Sequence, residues 1–362
     1  TNGNALAGRL AKAAMDCDIP VWLSSPVTRL IVEGDRVVGA RVEREGRQVE
    51  VRVNRGVVLA CGGFPHEVER RKQLFPHAPT GREHYTPSPE LNTGDGLRLG
   101  ESAGGWVDPT IPNAAAWCPT SIVTRKDGTQ GVMPHFIDRA KPGVIAVAAD
   151  GRRFTNEASS YHDFVQNLVK KVKGTGKPQG EFSAWLVCDH YHLREYGLGA
   201  VAKSPLPIGR YLRTGYLKKG RTLAELAQVI GVPAQALAEE VQVFNRDAAT
   251  GTDMAFGKGS TAYNRYQGDA MVKPNPCMAP IVRGPFYAIK LVVGEIGTFA
   301  GLATDPTCRV LTRDGAVVPG LYAVGNDAAS VMGGNYPGAG ITLGPCLTFG
   351  YVAGMALAKA PA

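Results

Sequence analysis

The chain has 362 residues, of which 44% are hydrophobic and 20% are charged, the composition of a globular enzyme. Because single hydrophobic cores stop growing at roughly 250–300 residues, we expect about two domains. Lys and Arg number 40 against 32 Asp and Glu, a net charge of +8, but the excess lies in short scattered runs without interleaved aromatic residues. This pattern argues against a nucleic-acid-binding protein.

The seven cysteines give no sign of a metal site or a disulfide framework. Their spacing contains no metal-ligand motif, and their number is odd. The longest apolar run, residues 343–358, is interrupted by glycine and is shorter than the roughly 20 residues that span a bilayer. We therefore expect a cytoplasmic protein without a bound metal, and association with a membrane surface stays open.

The first elements along the chain alternate between helix and strand patterns. Helical spacing of apolar residues predicts a first helix, and alternation predicts strands over residues 21–25 and 28–33. The turn sequence EGDR then predicts a hairpin into VVGARVE. The continuous apolar run RGVVLACGGF predicts a buried central strand that ends at Gly62 and Gly63, a position where α/β sheets commonly bind ligands.

From about residue 121 to residue 297 the pattern predicts an α+β region. Strands are expected at GVIAVAAD and EFSAWLVCDH, and helices at YHDFVQNLVKKVK, TLAELAQVIG and AQALAEEVQVFNRDAAT. Thr222 and Glu225 form a capping box, which is typical of a scaffold helix. Short strands and an apolar helix complete the chain.

The stretch MGGNYPGAGITLGPCLTFG, residues 332–350, combines several glycines with one tyrosine, Tyr336, and runs into the last apolar helix. Glycine lets another molecule approach the main chain closely. We therefore expect a ligand to lie against this turn.

Successive segments of the chain resemble the flavoproteins related to fumarate reductase and succinate dehydrogenase. These segments are NGNAL, GDRVVGARV, GVVLACGGF, TGDGLRLGESAGG, GRRFTNEASSY and GLYAVGNDAASVMGGNYPGAGITLGP. Together the segments extend over nearly the whole chain. Within that superfamily the chain is most similar to the 3-ketosteroid dehydrogenases, especially the enzymes that introduce a 1,2 double bond.

The resemblance implies an α/β fold with an α+β insertion, in which a Rossmann-like FAD-binding domain is interrupted by a substrate-capping domain. The FAD-binding domain would comprise residues 1–120 and 298–362, and the capping domain residues 121–297. Members of the superfamily begin with a strand, a G-x-G-x-x-G turn and a helix that hold the FAD pyrophosphate, and this sequence contains no such unit. We expect an FAD-binding domain that is incomplete at its N-terminus, with a second polypeptide as a candidate source of the missing segment.

Two departures from the fumarate-reducing relatives favour a neutral ketone as the substrate. Those relatives carry an arginine that donates a proton to a dicarboxylate where this chain has Tyr336, and their carboxylate-clamping histidine has no counterpart in GEIGTFAGLATD. A phenol can hydrogen-bond a carbonyl oxygen without adding a charge. With the backbone N–H of Gly340 it would form an oxyanion clamp. Alternatively, Tyr336 only packs and caps the turn.

Tyr161 matches the tyrosine that the ketosteroid enzymes use as a base. Removing a proton next to a ketone requires a stronger base than a neutral phenol, so Tyr161 must lose or pass on its own proton. The relaying tyrosine would lie in the missing segment. The alternative is that Tyr161 is an exposed tyrosine in the first turn of a helix. His162 and Asp163 are expected at the surface, because adjacent residues point to different helix faces.

The resemblance further implies a set of FAD contacts, namely Gly62, Gly63, Gly325, Asn326, Thr342, Leu343 and Gly344. The start of the last helix would face the flavin edge that becomes negative on reduction. The predicted function is FAD-dependent introduction of a double bond next to a ketone in a steroid-like or other cyclic substrate, with an external electron acceptor. One alternative is a fumarate-type reductase of small unsaturated acids, which would need cations such as Arg152, Arg153 or Arg283. The other is a non-catalytic fragment or binding module.

Overall fold

A computed structural model describes residues 2–176 and 181–360 and contains three β-sheets. Thr1, residues 177–180 and residues 361 and 362, which the predicted domain ranges include, lie outside the described residues. Early and late parts of the chain meet in one of these sheets, and the middle of the chain builds the largest one.

The N-terminal region forms a helix and a three-stranded antiparallel sheet. Helix α1 (Asn2–Asp16) and the hairpin of β1 (Val27–Glu33) and β2 (Arg36–Arg44) confirm the predicted elements. A third strand, β3 (Arg47–Arg52), pairs with β2 and extends the hairpin beyond the prediction. The predicted strand over residues 21–25 is wrong, because no strand of the described part of the chain pairs with this segment, which contains bends.

The predicted apolar strand in GVVLA is short and lies at the edge of its sheet. β4 (Val57–Leu59) leads into the glycine turn, and helices α2 (Val68–Leu74) and α3 (Asp95–Ser102) follow. Among the described residues one strand pairs with β4, so the prediction of a central strand is wrong for this sheet. The side of β4 away from that partner is open, and Val58 is 38% exposed.

The middle of the chain builds a six-stranded antiparallel sheet. Its strands are β5 (Ala115–Thr124), β6 (Gln130–Pro134), β7 (Val144–Val147), β8 (Ser183–Cys188), β9 (Leu217–Gly220) and β10 (Phe286–Thr298). The order is β6-β5-β10-β8-β7, with β9 paired to the first part of β10. The long strand β10 is therefore the spine of the sheet, because β5, β8 and β9 all pair with it.

Helices cover both faces of this sheet. They are a 3-10 helix (Asp138–Ala140), α4 (Tyr161–Lys173), α5 (His190–Tyr196), α6 (Gly209–Arg213), α7 (Leu223–Ile230), α8 (Ala234–Thr250) and α9 (Ala262–Gln267). Because strand side chains alternate between faces, α4 packs on one apolar face around Leu168 and α7 with α8 on the other around Phe244. The predicted N-cap of α7 is confirmed, since the Thr222 hydroxyl accepts the Glu225 N–H at 3.1 Å.

The last part of the chain returns to the sheet of β4. Its elements are β11 (Arg309–Leu311), β12 (Val317–Ala323), a 3-10 helix (Gly325–Asp327) and α10 (Leu343–Lys359). β12 pairs with β4 in parallel and with β11 in antiparallel orientation. The predicted domain boundaries at residues 120 and 297 fall inside β5 and β10, and the division into domains stays a prediction.

Two observations bear on the expected setting of the protein. The seven cysteines are all unpaired. Within residues 2–176 and 181–360, no helix combines the length and apolarity that a membrane crossing requires.

Candidate active site

The two tyrosines predicted to be catalytic lie side by side, although they are far apart in the sequence. Tyr161 is the first residue of α4, which is capped by the Ser160 hydroxyl accepting the His162 N–H at 3.2 Å. Tyr336 lies in the glycine-rich turn before α10. The two hydroxyl groups are hydrogen-bonded to each other, and the ring centroids are 4.8 Å apart. Tyr161 is buried, so the alternative of an exposed tyrosine is wrong.

Aromatic side chains surround this tyrosine pair. Phe136 packs its ring 5.2 Å from Tyr161 in an edge-on arrangement. His162 stacks on Tyr336 with centroids 5.8 Å apart, and Phe299 lies 6.4 Å from the same ring. Tyr336 is therefore half-buried among aromatic rings in its turn, and its hydroxyl group is directed at the phenol of Tyr161. The predicted roles of both tyrosines stay predictions.

His162 is buried, so the prediction of a surface position is wrong for this residue. Its Nδ1 accepts the backbone N–H of Trp117 at 3.1 Å, which assigns the ring proton to Nε2. Burial lowers the pKa of His162 to about 4, so the ring is neutral. Both Tyr161 and His162 are buried because the first turn of α4 is inserted between β5 and the Tyr336 turn. Asp163, the next residue, is exposed as expected.

The tyrosine pair is neutral in this arrangement. Burial raises the pKa of both phenols, and the mutual hydrogen bond raises the pKa of Tyr161 further while it opposes the rise at Tyr336. Either hydroxyl group of the pair can be the hydrogen-bond donor. Before Tyr161 can act as a base, it must lose its own proton to another group.

A buried arginine, Arg139, holds the backbone that leads into Tyr161 and the backbone of the neighbouring Phe136. The guanidinium of Arg139 donates to the carbonyl oxygens of Glu157 at 2.6 Å, Ser159 at 3.3 Å and Phe136 at 3.1 Å. These carbonyl groups belong to the segment that enters α4 and to the residue that packs on Tyr161. Arg139 thus fixes the position of the Tyr161 ring through the main chain.

A chain of hydrogen bonds anchors the loop of Arg139. The Asp138 carboxylate lies 2.5 Å from His135 Nδ1, His135 Nε2 lies 2.7 Å from the Ser121 hydroxyl, and that hydroxyl lies 2.8 Å from the Tyr216 hydroxyl. The order of contacts is that of a Ser–His–Asp triad. Ser121 is fully buried and bonded to Tyr216, so the arrangement serves as an anchor and offers no access to a substrate.

Two loops that carry predicted FAD contacts touch each other. Gly62 and Gly63 turn the chain after β4 with φ angles of +91° and +76°, and Gly325 begins the 3-10 helix after β12 with a φ of +62°. A Cβ at Gly63 would lie 2.1 Å from Thr298 Oγ1 and 3.0 Å from the Asn326 Cβ. Residue 63 must therefore be glycine, since any side chain would separate the two loops.

A cavity of about 530 Å³ opens beside these loops. Three predicted FAD contacts, Gly325, Asn326 and Thr342, line it together with Thr298, whose buried hydroxyl has no hydrogen-bond partner among the described residues. The other four do not line it. They are Gly62, Gly63, Leu343 and Gly344.

The start of α10 is open beside this cavity. Thr342 occupies the N-cap position without a side-chain capping bond, and a Cβ at Gly340 or Gly344 would meet nothing within 4 Å. An uncapped helix N-terminus favours an electron-rich group, and the Thr298 hydroxyl can hydrogen-bond one. The residues present therefore fit the ring portion of a flavin. The contact roles of the seven predicted residues stay predictions.

The residue that joins the two loops, Asp327, was not among the predicted site residues. Asp327 is fully buried, and its two carboxylate oxygens accept the backbone N–H groups of Cys61 and, at 2.9 Å, Gly63. A Cβ at Gly96 would lie 2.2 Å from Asp327 Oδ2, so α3 also closes on this carboxylate. Burial raises the pKa of the neighbouring Cys61 thiol to about 11, which keeps the thiol protonated. One sequence feature could have indicated Asp327, namely an acidic residue directly after the strand and the GN turn in GLYAVGND.

Comparison with known proteins identifies relatives over almost the whole chain. The sequence profile of the FAD binding domain family matches residues 1–343. The chain is 42% identical to 4-oxocyclohex-2-ene-1-carboxylate 5-dehydrogenase from Sinomonas cyclohexanicum, with 99% of this chain and 60% of the relative aligned. It is 38% identical to 3-oxosteroid 1-dehydrogenase from Mycobacterium tuberculosis, with 98% of this chain and 63% of the relative aligned.

A solved structure gives the same result for the fold. The 3-ketosteroid delta1-dehydrogenase from Sterolibacterium denitrificans, in complex with 1,4-androstadiene-3,17-dione, superposes with a TM-score of 0.88 at 37% identity. The match covers 96% of this chain and 62% of that one. The predicted fold class and the predicted resemblance to the 3-ketosteroid dehydrogenases are confirmed. This chain spans about 60% of the length of the relatives.

We expect Asp327→Asn to lower the free energy of unfolding by about 1–3 kcal/mol, because an amide nitrogen in place of one carboxylate oxygen leaves a buried backbone N–H without an acceptor. The shift is measured by urea unfolding of the chain. Asp95→Asn is the control, since Asp95 is a nearby carboxylate that is half exposed and its substitution should change stability by less than about 0.5 kcal/mol. Unchanged stability of Asp327→Asn would show that this carboxylate does not fasten the loops.

Proposed function

Because the chain belongs to the FAD binding domain family, we propose that it forms the substrate-binding part of an FAD-dependent dehydrogenase that introduces a double bond next to a ketone. The substrate would be a steroid-like or other cyclic ketone. The observation that carries the proposal is the hydrogen-bonded pair of Tyr161 and Tyr336 beside the uncapped start of α10. The relatives named above act on ketones of both sizes, a cyclohexene carboxylate and a 3-oxosteroid.

In the proposed reaction each tyrosine has a separate task. Tyr336 donates a hydrogen bond to the ketone oxygen, and the N–H of Gly340 adds a second donor, so that negative charge on this oxygen is stabilised as it develops. Tyr161 removes the proton from the carbon next to the ketone. Bound flavin supplies the acceptor for the hydride that leaves the adjacent carbon. An external electron acceptor is also required, since each turnover leaves two electrons to be removed.

The neutral pair sets a condition on this reaction. The pKa of Tyr161 is raised by burial and by its bond to Tyr336, so Tyr161 cannot take up a proton while that bond is present. The ketone oxygen would replace Tyr161 as the partner of Tyr336, which frees the Tyr161 hydroxyl. A relay group must then accept the Tyr161 proton. We place this group on the segment that carries the G-x-G-x-x-G turn.

The alternative of a reductase for small unsaturated acids finds no support in the arginines that it would use. Arg153 is buried in ion pairs with Glu157 and Asp253, each at 2.8 Å. Arg152 is paired with Glu239. The guanidinium of Arg283 lies 5.0 Å from the ring of Tyr191. A substrate carboxylate would therefore have to displace a carboxylate partner at Arg152 and Arg153, whereas Arg283 is exposed and stacks on a ring.

We further propose that a polypeptide segment with the G-x-G-x-x-G turn pairs with the open edge of β4 and completes the FAD site. Val58 in β4 is exposed, and exposed apolar side chains also occur in α1, at Leu10 and Met15, and in α10, at Leu347, Tyr351 and Met355. A strand with unpaired backbone groups next to exposed apolar side chains is a template for another strand. The segment can belong to the same or to a second polypeptide.

We expect Tyr336→Phe to reduce turnover of a cyclic ketone by roughly 10²–10³ in the assembled enzyme, because the substitution removes one oxyanion donor and keeps the ring packing. Turnover is measured with steroid enones and cyclohexanone carboxylates as substrates, with FAD content as the check on assembly. Tyr191→Phe, the same change at an exposed tyrosine, should leave turnover unchanged. Wild-type turnover in Tyr336→Phe would contradict the clamp, and turnover of fumarate alone would favour the reductase.

We expect Tyr161→Phe to abolish exchange of the substrate proton next to the ketone, because the base is lost while the ring remains. Exchange into D₂O is followed by NMR of the substrate with the assembled enzyme. Tyr266→Phe serves as the control at a tyrosine that is 89% exposed. Unchanged exchange in Tyr161→Phe would place the base on another group.

We expect the isolated chain to bind FAD weakly and to be colourless when purified, because its sequence lacks the phosphate-binding turn. Co-expression with the part of the Sinomonas relative that this chain leaves unmatched should give a yellow complex. Tyr351→Lys on the exposed face of α10 should weaken that complex, whereas Met254→Lys, at an exposed apolar residue in the loop after α8, should not. Tight stoichiometric FAD binding by the chain alone would overturn this assignment, and a colourless co-expressed product would favour the non-catalytic alternative.

A further inference from the structure

Three titratable side chains lie end to end in the interior and have no part in the proposed reaction. His77 Nε2 is 2.9 Å from His84 Nδ1, and His84 Nε2 is 3.9 Å from Glu295 Oε1. All three residues are buried, and the side chains of His84 and Glu295 are completely inaccessible. The segment of His84 reaches Glu295 because Tyr85 bridges to Gly294 of β10. We refer to His77, His84 and Glu295 as the histidine–glutamate chain.

Three polar atoms of this chain lack a hydrogen-bond partner among the described residues. They are His77 Nδ1, His84 Nε2 and Glu295 Oε1. Unsatisfied buried polar atoms are rare and call for a functional explanation. Here they occur at the outer end of the chain and on the two sides of its single gap. The gap of 3.9 Å is about 1 Å longer than a hydrogen bond, so a small side-chain rotation closes it.

The outer end of the chain reaches a surface cavity. His77 lines a cavity of about 360 Å³ together with Trp117 of β5 and Lys170 and Lys173 of α4. His77 is therefore the member of the chain that borders this cavity, and its buried Nδ1 would exchange a proton through a water molecule that enters the cavity.

The inner end reaches the candidate flavin site. Glu295 Oε2 accepts the backbone N–H of Gly297. A Cβ at Gly297 would lie 2.9 Å from Asn326 Nδ2 and 3.3 Å from Thr342 Cγ2, both of them residues predicted to contact FAD. Gly297 thus lies between the carboxyl group of Glu295 and two residues that line the cavity beside α10, Asn326 and Thr342.

We propose that His77, His84 and Glu295 form a proton path between the surface cavity and the turn at Gly297, separate from the tyrosine pair. In its protonated state, Glu295 carries a proton on Oε1, and both imidazoles carry theirs on Nδ1. In its deprotonated state, Glu295 is ionised, and both imidazoles carry their proton on Nε2. The two states differ by one proton.

Transfer between the states involves three coupled steps. The Oε1–H bond of Glu295 breaks as the Nε2–H bond of His84 forms. The Nδ1–H bond of His84 breaks as the Nε2–H bond of His77 forms, and the Nδ1–H proton of His77 passes to a water molecule in the cavity. The reverse sequence returns a proton to Glu295. Each neutral imidazole supplies one donor and one acceptor nitrogen, so the bond between the histidines forces both tautomers to change together.

Burial favours neutral imidazoles and a protonated carboxyl group in this chain. Burial lowers the pKa of both histidines well below the ordinary value and raises that of Glu295. Arg71 and His66 face His84 and Glu295, and the positive charge of Arg71 opposes an imidazolium at His84 and favours an ionised Glu295. Lys173 opposes and Glu83 favours a positive charge on His77. A proton therefore crosses by exchange of tautomers, without a charged histidine.

The test is ¹⁵N NMR of the histidine-labelled full chain over the pH range in which it stays folded. His77→Gln and His84→Gln identify the two ring signals among the seven histidines. We expect both rings to change from the Nδ1–H to the Nε2–H tautomer at one common midpoint, which coincides with loss of the carboxylic acid carbonyl band in the infrared spectrum. A change in only one ring, or no change in either ring, would overturn the proposal. This readout needs no flavin and no substrate, so it is independent of the proposed dehydrogenase activity.

Glu295→Gln sharpens the test, because a carboxamide has nearly the same size and cannot release a proton. We expect both histidines to stay in the Nδ1–H tautomer at every pH, since the amide N–H donates to His84 Nε2, and the acid band to be absent. His66→Gln is the matched control, because His66 faces the chain but bonds to the Ser88 carbonyl at 3.0 Å. It should retain the common midpoint, although the pH of that midpoint can shift. A persistent tautomer change in Glu295→Gln would contradict the path.

Discussion

The hydrogen bonds from the Asp327 carboxylate to the backbone of the glycine turn after β4 are the interaction on which the candidate site depends. The parallel pairing of β4 with β12 is only three residues long, and the carboxylate extends this join into the loops beyond the strands. Charged acceptors make hydrogen bonds that are roughly twice as strong as neutral ones. Early and late parts of the chain are joined here, in the sheet of β4 and β12. The residues between these two strands form the six-stranded sheet.

Trp117 connects the two chemical groups that rest on this sheet. It lies opposite Glu295 in the pairing of β5 with β10, and its ring is 5.2 Å from that of His77. Its backbone N–H bonds to His162, which stacks on Tyr336, and its indole N–H bonds to Asn113. Asn113 in turn donates to the carbonyl of Gly334 in the tyrosine turn at 2.9 Å. One side chain thus supports both the tyrosine pair and the histidine–glutamate chain, while the two hydrogen-bond networks stay separate.

Local sequence patterns predicted the elements whose formation is local. The first helix, the hairpin and the capped helix α7 follow from periodicity and turn chemistry, which are visible in a few neighbouring residues. Tyr161 and Tyr336 were predicted as site residues from the segments that resemble the family. The hydrogen bond between them joins residues that are far apart in the sequence. The surface prediction for His162 failed because helix periodicity does not reveal that the first turn of α4 is covered on two sides.

The residues that the sequence did not reveal depend on contacts between distant segments. Asp327 follows an ordinary strand, and its role appears only when the turn after β4 is beside it. His77, His84 and Glu295 come from two separate stretches, and neither stretch shows a motif. The position of β4 was mispredicted for a similar reason, since an apolar run indicates burial but does not state which side of the strand another segment covers.

Tyr161 competes with any ligand for the hydroxyl group of Tyr336, because the two tyrosines are already hydrogen-bonded to each other. The free energy that a ligand would gain here is the difference between its own hydrogen bond to Tyr336 and the bond that Tyr161 already makes. This difference is small for any polar group. Under the proposed function, a molecule without a strong acceptor would gain no hydrogen bond from Tyr336 and would lose the bond of the pair, so it would bind weakly without any steric barrier. Substrate and product ketones would carry the same acceptor, and the re-forming pair would displace both. Discrimination at this position would therefore rest on the basicity of one oxygen atom, and ring size would be selected by other parts of the wall.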